Sequence, residues 1–294
     1  MRLCSLHNES LSISGTLLFS LLWATFIYDP VAHWVWGEGG MLCRMGALDF
    51  AGGTVVHILA GFSALAFALV IGPRKGFRRV SFEPGNIPYS VLGAGLLWMG
   101  WFGFNGGSAL AADGIAVHAL VTTNTAAAAA GLMWMFLAWL DNKPSVLGSV
   151  TGVVVGLVAI TPGAGFVTPL AAIFIGALAA VIGYYGIRFV KERIGLDESL
   201  DVFACHGLGG LWGALATGLL ATTTVNPNGA DGLFYGNPDQ FFVQLIAALA
   251  AIALAMIGTL VLSGILRATV GLRVTSNEEE VGLDVSEHGE RAYA

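Results

Sequence analysis

The 294-residue chain is too apolar for a soluble domain: 56% of its residues are hydrophobic, and only 11% are charged. Its 41 glycines suit closely packed membrane helices and would weaken helices in water. The net charge of −6 gives no sign of nucleic-acid binding, and the three widely separated cysteines predict neither a disulfide framework nor a metal cluster.

Apolar stretches long enough to cross a bilayer recur along the chain, and none alternates with the period of two that a membrane β-barrel requires. We therefore predict an all-α membrane protein with about eight transmembrane helices. The predicted spans are 11–28, 50–71, 87–112, 114–140, 145–161, 166–187, 200–222 and 241–266. They form one transmembrane domain, 1–266, which is followed by a polar tail, 267–294.

The basic residues predict the orientation of these spans. Every Lys and Arg except Arg44 falls on the side that holds both termini. Because basic loops are retained in the cytoplasm, we expect both termini to be cytoplasmic and the chain to be a multi-pass protein of the cell membrane. The loops 29–49, 162–165 and 223–240 are then expected to face outward.

The first predicted outer loop contains YDPVAHWVWGEGG, in which Trp36 stands beside several glycines. Tryptophan at this level ordinarily belongs to the aromatic belt of a membrane protein. The neighbouring glycines also suit a ring folded over a vestibule, and an indole face attracts a small cation by about 1–2 kcal/mol when partly desolvated. Since Asp29, Glu38 and Asp49 add negative charge on this side, the loop predicts a rim that concentrates a monovalent cation.

Within the second span, His57 stands in the small-residue stretch AGGTVVHILAG. The residues four positions away on either side are Gly53 and Gly61, so another helix can approach this face closely. An ionisable side chain at membrane depth is costly and usually faces a cavity or a permeation path. A histidine that only bonds a neighbouring helix is the simpler alternative.

The third span ends in the aromatic block LLWMGWFGFNGGSAL. Most of its rings are expected to pack against lipid or against the protein core. Phe104 and Ser108, however, lie four residues apart and share one helix face. An apolar ring beside a hydroxyl acceptor is typical of a gate below a cation-binding rim.

The seventh span carries a second intramembrane histidine, His206, in CHGLGGLWG. Two neutral imidazoles can share a proton and bond a small polar guest, because one ring nitrogen donates and the other accepts. If His57 and His206 line one pore, we expect their rings to lie within about 2.7–3.2 Å. Paired histidines also ligate haem or metals, but neither HxxxH nor CxxC occurs, and we expect no metal and no cofactor.

A faint internal repeat links the two histidine spans. Asp49 precedes His57 by eight residues, and Asp201 precedes His206 by five. Because the first span runs inward and the second runs outward, the pattern is typical of an inverted repeat. The tail contains the acidic run 278–280, and we expect it either to pack on the inner face or to stay mobile.

Long stretches in collinear order resemble the ammonium transporter (Amt/Rh) family, and they are more similar to its bacterial channels than to its Rh branch. These stretches are AHWVWG, GALDFAGGTVVHI, GWFGFN, VTTNTAAAAAG, GLVAITP, SLDVFACHGLGGLWG, TVGLRV and GLDVSEHGERAY. The resemblance implies two inverted halves of five helices plus a final helix, assembled as a homotrimer with one pore per subunit. It also implies that the chain begins at the fourth family helix, as an N-terminally truncated version of the eleven-helix fold.

The resemblance assigns roles to the residues already singled out. His57 and His206 match the twin histidines that line the family's pore. Trp36 and Ser108 match the site that recruits ammonium at the outer mouth, and Phe104 matches a phenylalanine of the gate.

Asp49 matches the acidic residue near the recruitment site, and the tail matches a cytoplasmic segment that contacts neighbouring subunits and PII-type signal proteins. We therefore expect transport of ammonium or ammonia across the cytoplasmic membrane and no enzymatic activity, with membrane lipids but no nucleic acid as partners. Two alternatives stay open: an ammonium-sensing membrane protein, and an inactive truncated fragment. On the second alternative, the 294 residues alone would insert poorly and show no saturable uptake.

Overall fold

The computed structural model describes residues 10–80, 82 and 84–291, and this part of the chain is almost entirely helical. The main helices are α1 (13–36), α2 (Gly53–Ile71), α3 (Ile87–Gly107), α4 (Gly114–Asp141), α5 (Val146–Ile160), α6 (Pro169–Ile194), α7 (Phe203–Leu220) and α8 (Pro238–Thr269). Among the described residues, seven helices are long and apolar enough to span a membrane, and α5 is a shorter apolar helix. The prediction of an all-α membrane protein with about eight spans is confirmed.

Helix α1 extends further than its sequence suggests. It consists of Ile13–Trp23, a wide π-helical turn at Ala24–Tyr28, and Asp29–Trp36. The prediction of a loop over 29–49 follows from the predicted spans 11–28 and 50–71. That prediction is wrong for residues 29–36, because a proline in the first turn of a helical segment costs no hydrogen bond that the segment itself needs.

The helices bury two apolar cores. The first joins α1, α2 and α8 and contains Phe19 and Phe67, whose rings lie 4.4 Å apart. The second joins α4, α5, α6 and α7 and contains Trp134 and Ile175. Helices α2 and α7 pack against each other where these cores meet, so the two histidine spans lie at the centre of the bundle.

Helix α3 is held on one side only. Most of its packing is against α4 and α5, and Trp101 and Phe104 near its end contact His57 of α2. Only 11% of an apolar 18-residue stretch of the helix is buried. Leu92, Leu96 and Met99 are each more than half exposed on its open side. A large apolar face of this helix is therefore available to lipid or to further protein.

The tail packs against the bundle at the end where α1 begins and α2 ends. It forms two short helices, α9 (Ser276–Val281) and α10 (Leu283–Ser286), and α9 begins with a capping box of Thr275 and Glu278. The Ile13 backbone N–H donates to the Glu287 carboxylate at 3.0 Å, and the Lys75 N–H donates to Glu279 at 2.7 Å. The tail was expected either to pack or to stay mobile, and in the structure its described residues pack against the bundle.

A buried ion pair between Arg74 and Asp197 connects the loop after α2 to the loop before α7. The backbone N–H and the guanidinium of Arg74 all donate to the Asp197 carboxylate, at 2.8–2.9 Å. The side chains of both residues are at most 9% exposed. Because desolvated charges are costly when they lose their partner, this pair holds the ends of the two central helices together.

We predict that Asp197→Asn lowers the free energy of unfolding by about 3–5 kcal/mol, since it leaves the Arg74 guanidinium buried without its counter-charge. The matched control is Lys75→Met, which breaks an ion pair with Glu280 whose side chains are 50% and 60% exposed. That change should alter stability by less than about 1 kcal/mol. Thermal unfolding of the detergent-solubilised variants measures both effects, and equal losses would contradict the assignment.

Candidate functional site

Both histidines lie in wide turns at the start of their helices. His57 is part of the π-helical turn Gly53–Ile58, and His206 is part of the π-helical turn Phe203–Leu208. A π-helical turn interrupts the ordinary backbone ladder, and such turns are frequent at functional sites. The two central helices thus begin with the same local geometry.

A buried carboxylate caps each of these turns. The two Asp49 oxygens accept the backbone N–H groups of residues 52–55 at 2.6–3.0 Å, and Glu198 accepts the Phe203 N–H at 2.6 Å. Each cap stands eight residues before its histidine. The expected counterpart of Asp49, Asp201, instead pairs with Lys191 at 2.7 Å, so the repeat is more regular than the sequence reading suggested.

The electrostatics of the two caps are similar. Burial raises the pKa of Asp49 to about 6, although the four backbone N–H bonds lower it. Burial likewise raises the pKa of Glu198 to about 7, with the Phe203 N–H acting in the opposite direction. In both cases desolvation outweighs the favourable field of the helix N-terminus, because each carboxylate is almost sealed from water.

The two histidine helices cross with their backbones in contact. A Cβ atom added at Gly61 would lie 2.0 Å from the backbone nitrogen of Gly207. One added at Gly210 would lie 2.9 Å from the Cβ of His57. No larger residue fits at the crossing, and the absence of side chains there lets the two imidazoles approach each other.

The rings of His57 and His206 lie within hydrogen-bond reach. Their Nδ1 atoms are 3.1 Å apart, inside the range expected for paired rings, and their ring centroids are 5.1 Å apart. The two residues are 3% and 4% exposed. Between two neutral imidazoles, a contact of this length requires one Nδ1 to donate and the other to accept.

Thr161 determines which ring donates. Its hydroxyl donates to the Leu157 carbonyl at 2.7 Å, so its oxygen is left to accept. The indole N–H of Trp101 donates to it at 3.0 Å, and the His57 Nε2 atom lies 3.3 Å away. The arrangement that is consistent with these contacts has His57 Nε2–H donating to Thr161 and His206 Nδ1–H donating to His57 Nδ1.

Aromatic rings enclose the pair on the α3 side. Trp101 stacks on His57 with a centroid distance of 5.3 Å and an interplanar angle of 23°. The Phe104 ring lies 6.2 Å from His57 and meets Trp101 edge to face at 5.7 Å. Phe104 is 40% exposed, so its ring borders open space while it touches the site.

Two cavities share His206 in their walls. One of about 810 Å³ lies between α1, α2 and α3, and its wall includes Trp23, Tyr28, Phe104 and both histidines. The other, of about 430 Å³, lies between α3, α5 and the start of α7 and is lined by Cys205 and His206. Both imidazoles therefore border the larger cavity, and His206 also borders the smaller one.

Trp36 and Ser108, the residues expected at the outer mouth, line neither of these two cavities. Trp36 occupies the last turn of α1, is 44% exposed, and donates its indole N–H to the Asp49 carbonyl at 2.8 Å. Ser108 follows α3 and donates its hydroxyl to the Phe104 carbonyl at 2.9 Å, which leaves its oxygen able to accept. Since both Asp49 carboxylate oxygens are engaged by α2, this residue can attract a cation only through its field.

Sequence reasoning missed Trp101 and Thr161. Trp101 belongs to the aromatic block whose rings were expected to pack, and Thr161 belongs to the quoted motif GLVAITP without a role of its own. A threonine at the end of a short apolar span is an ordinary feature of membrane helices. Only the fold brings its hydroxyl beside His57.

The fold and the buried pair define a multi-pass helical membrane protein with a polar site at the crossing of two central helices. Comparisons with known proteins agree: residues 5–293 match the Ammonium Transporter Family. The ammonium transporter Amt1 of Archaeoglobus fulgidus is 53% identical over 292 residues, which are 99% of this chain and 73% of that protein. The ammonium transporter of Bacillus subtilis is 50% identical, over 97% of this chain and 70% of that protein.

Solved structures are also similar. Saccharomyces cerevisiae Mep2 has a TM-score of 0.85 and 33% identity, and the match covers 91% of this chain but only 62% of Mep2. A structure described as a Sensor Amt Protein has a TM-score of 0.86 and 30% identity, over 95% of this chain and 71% of that protein. The chain thus belongs to the ammonium transporter family and spans about two thirds of the length of these relatives.

We predict that Thr161→Val disturbs the proton order of the histidine pair, because the valine methyl groups cannot accept from Trp101 or His57. Nitrogen-15 NMR of histidine-labelled protein should show His57 protonated at Nε2 and His206 protonated at Nδ1 in the parent protein, and a mixture of tautomers in the variant. Thr217→Val is the matched control, because the buried Thr217 hydroxyl bonds only the Gly213 carbonyl of its own helix. Unchanged tautomers in Thr161→Val would contradict the assignment.

Proposed function

We propose that the chain forms a pathway that carries ammonium, as ammonia, across the cytoplasmic membrane past the His57–His206 pair. The observation that carries the proposal is the 3.1 Å contact between two buried imidazoles that both line the larger cavity, with His206 also lining the smaller one. Ammonium transport is the activity in the names of two curated relatives that are 53% and 50% identical to this chain. The proposed cargo is therefore the one that these relatives are named for.

The chemistry of the pair suits a small neutral guest. Neutral imidazoles offer both donors and acceptors in a site that excludes bulk water, so ammonia can exchange hydrogen bonds along them without being held tightly. A bare cation entering the same apolar surroundings would lose its hydration at a cost of many kcal/mol. Ammonium avoids that cost by releasing a proton, whereas potassium has no proton to release.

The outer residues are assigned roles in the same pathway. Trp36 and Ser108 recruit ammonium at the outer mouth through the indole face and the hydroxyl oxygen. Phe104 gates access to the pair, which its ring contacts. Asp49 stabilises the first turn of α2 and adds negative field at the mouth, so that it supports recruitment without touching the cargo.

Membrane orientation and assembly are part of the proposal. The basic loops favour cytoplasmic termini in the cell membrane, and the uncovered apolar faces of the bundle suit lipid and neighbouring subunits of a homotrimer. The packed tail is the expected contact for a PII-type signal protein. Residues 1–266 and 267–294 are accordingly proposed as the transmembrane domain and a cytoplasmic tail.

A sensory role is the second candidate, and the similarity to the Sensor Amt Protein favours it. In that case the same site would bind ammonium and report its presence to a partner. The two roles differ in flux, because a sensor needs binding at the site but no sustained passage of the cargo. Uptake measurements therefore separate them.

The experiment that tests the proposal is uptake of ammonium by cells that lack their own transporters. Two forms are compared: the 294-residue chain, and the chain preceded by the first three helices of a family member. We expect saturable uptake from the extended form and a reduction of about five- to tenfold in its His57→Ala variant, since one lost hydrogen bond along the path is worth about 1–1.5 kcal/mol. His118→Gln is the control, because His118 bonds the Val167 carbonyl away from the pair.

Membrane-inserted protein without uptake would overturn the transport proposal and favour the sensor or the inactive fragment. Uptake that His57→Ala leaves unchanged would overturn the assigned pathway. Uptake by the 294-residue chain alone would instead show that the additional helices are dispensable.

Phe104→Ala tests the gate. Removing the ring should widen access to the cavity beside His57, admit water, and lower the ammonium-to-potassium selectivity by about tenfold, because hydrated cations then pay less to enter. Selectivity is measured by competition uptake and by currents in reconstituted bilayers. Phe136→Ala removes an exposed ring from the outer face of α4 and is the matched control. An unchanged ratio in Phe104→Ala would mean that the ring only packs.

A further inference from the structure

A glutamine on α8 holds the loop that leads to the outer mouth. The side-chain amide of Gln244 pairs with both backbone groups of Leu48: Leu48 N–H donates to Oε1 at 2.7 Å, and Nε2 donates to the Leu48 carbonyl at 2.7 Å. The two residues are separated by 196 positions in the sequence. This double contact fixes the Leu48 peptide in position and orientation, as a neighbouring strand would.

The same amide reaches a third element. Gln244 Nε2 also donates to the Ala214 carbonyl of α7 at 3.3 Å, and Oε1 accepts from Gln240 Nε2 at 3.4 Å. Gln240 in turn donates to the Gly46 carbonyl at 3.0 Å. Gln244 is 1% exposed, and the two donors and the acceptor oxygen of its side-chain amide are all engaged.

The loop that Gln244 holds carries the outer site. Asp49 follows Leu48 directly, and its carboxylate caps the turn that contains His57. The Asp49 carbonyl accepts the indole N–H of Trp36. A displacement of Leu48 is therefore transmitted to the cap of α2 and to the ring at the mouth by short, direct bonds.

No other role in the site explains this arrangement. Gln244 lies outside the lining of both cavities and touches neither histidine ring in the described contacts. An apolar residue would fill the same space in a membrane helix without the cost of burying an amide. The amide is matched to the Leu48 backbone, which is the group that needs to be held.

We propose that Gln244 is a positioning residue for ammonium recruitment: it clamps Leu48, and through Leu48 it sets Asp49 and Trp36 at the outer mouth relative to α7. The inference rests on the proposed function for its effect on transport, but the clamp itself is a property of the fold. Gln240 supports the clamp through Gly46 and the contact with Gln244. Loss of the clamp should loosen the mouth and leave the histidine pair in place.

The test uses Gln244→Met, which keeps the length of the side chain and removes the donors and the acceptor. Hydrogen–deuterium exchange of the purified protein, followed in peptides that cover 41–56, should become about tenfold faster. In uptake assays the half-saturating ammonium concentration should rise about fivefold or more, with the maximal rate within about twofold, because recruitment is weakened and the pathway is kept. Thr259→Val is the matched control, since the buried Thr259 hydroxyl on the same helix has no described partner.

Exchange that Gln244→Met leaves unchanged would overturn the clamp, and faster exchange with an unchanged half-saturating concentration would overturn the role in recruitment. If Gln244→Met does not yield folded protein, Gln240→Met takes its place. It should accelerate exchange in the same peptides to a smaller extent, and no acceleration would again overturn the clamp. Absence of uptake in the parent protein would refute the proposed function, while the exchange measurement would still decide whether the clamp exists.

Discussion

The close crossing of α2 and α7 is the constraint on which the site depends. Membrane helices gain little from hydrophobic association, so they must approach closely enough for dispersion and polar contacts to hold them. Here Gly61 and Gly207 bring the backbones into direct contact, and the imidazoles meet as a result. The Arg74–Asp197 pair fixes one end of this crossing, and the Gln244 network fixes the loop at the other.

Each central helix also begins in the same way, with a buried carboxylate followed by a wide turn. The free N–H groups at a helix start carry partial positive charge, and a carboxylate held against them is a stable combination even away from water. The wide turn then presents the histidine toward the crossing. The two helices begin at opposite ends of the bundle. The same carboxylate cap and wide turn at each start therefore place two imidazole rings that face each other.

The sequence was sufficient for the features that depend on composition and local pattern. Apolar length identified the spans, and the rarity of ionisable groups in them singled out His57 and His206. It was insufficient where long-range contacts decide. Glu198 was passed over for the nearer Asp201, because spacing alone does not reveal which carboxylate reaches the helix start. Trp36 was assigned to a loop because the first apolar span was predicted to end at residue 28, whereas the helix continues through Pro30 to Trp36.

The hydrogen bonds around His57 have one direction throughout. With the tautomers assigned to the pair, His206 donates to His57 and His57 donates to Thr161, while the Thr161 hydroxyl donates to the Leu157 carbonyl. A peptide carbonyl has no proton to pass on, so this branch is a closed end for proton relay. An excess proton that reaches His57 can be stored there or returned to His206, and it cannot leave the pair toward α5 by reversal of these bonds.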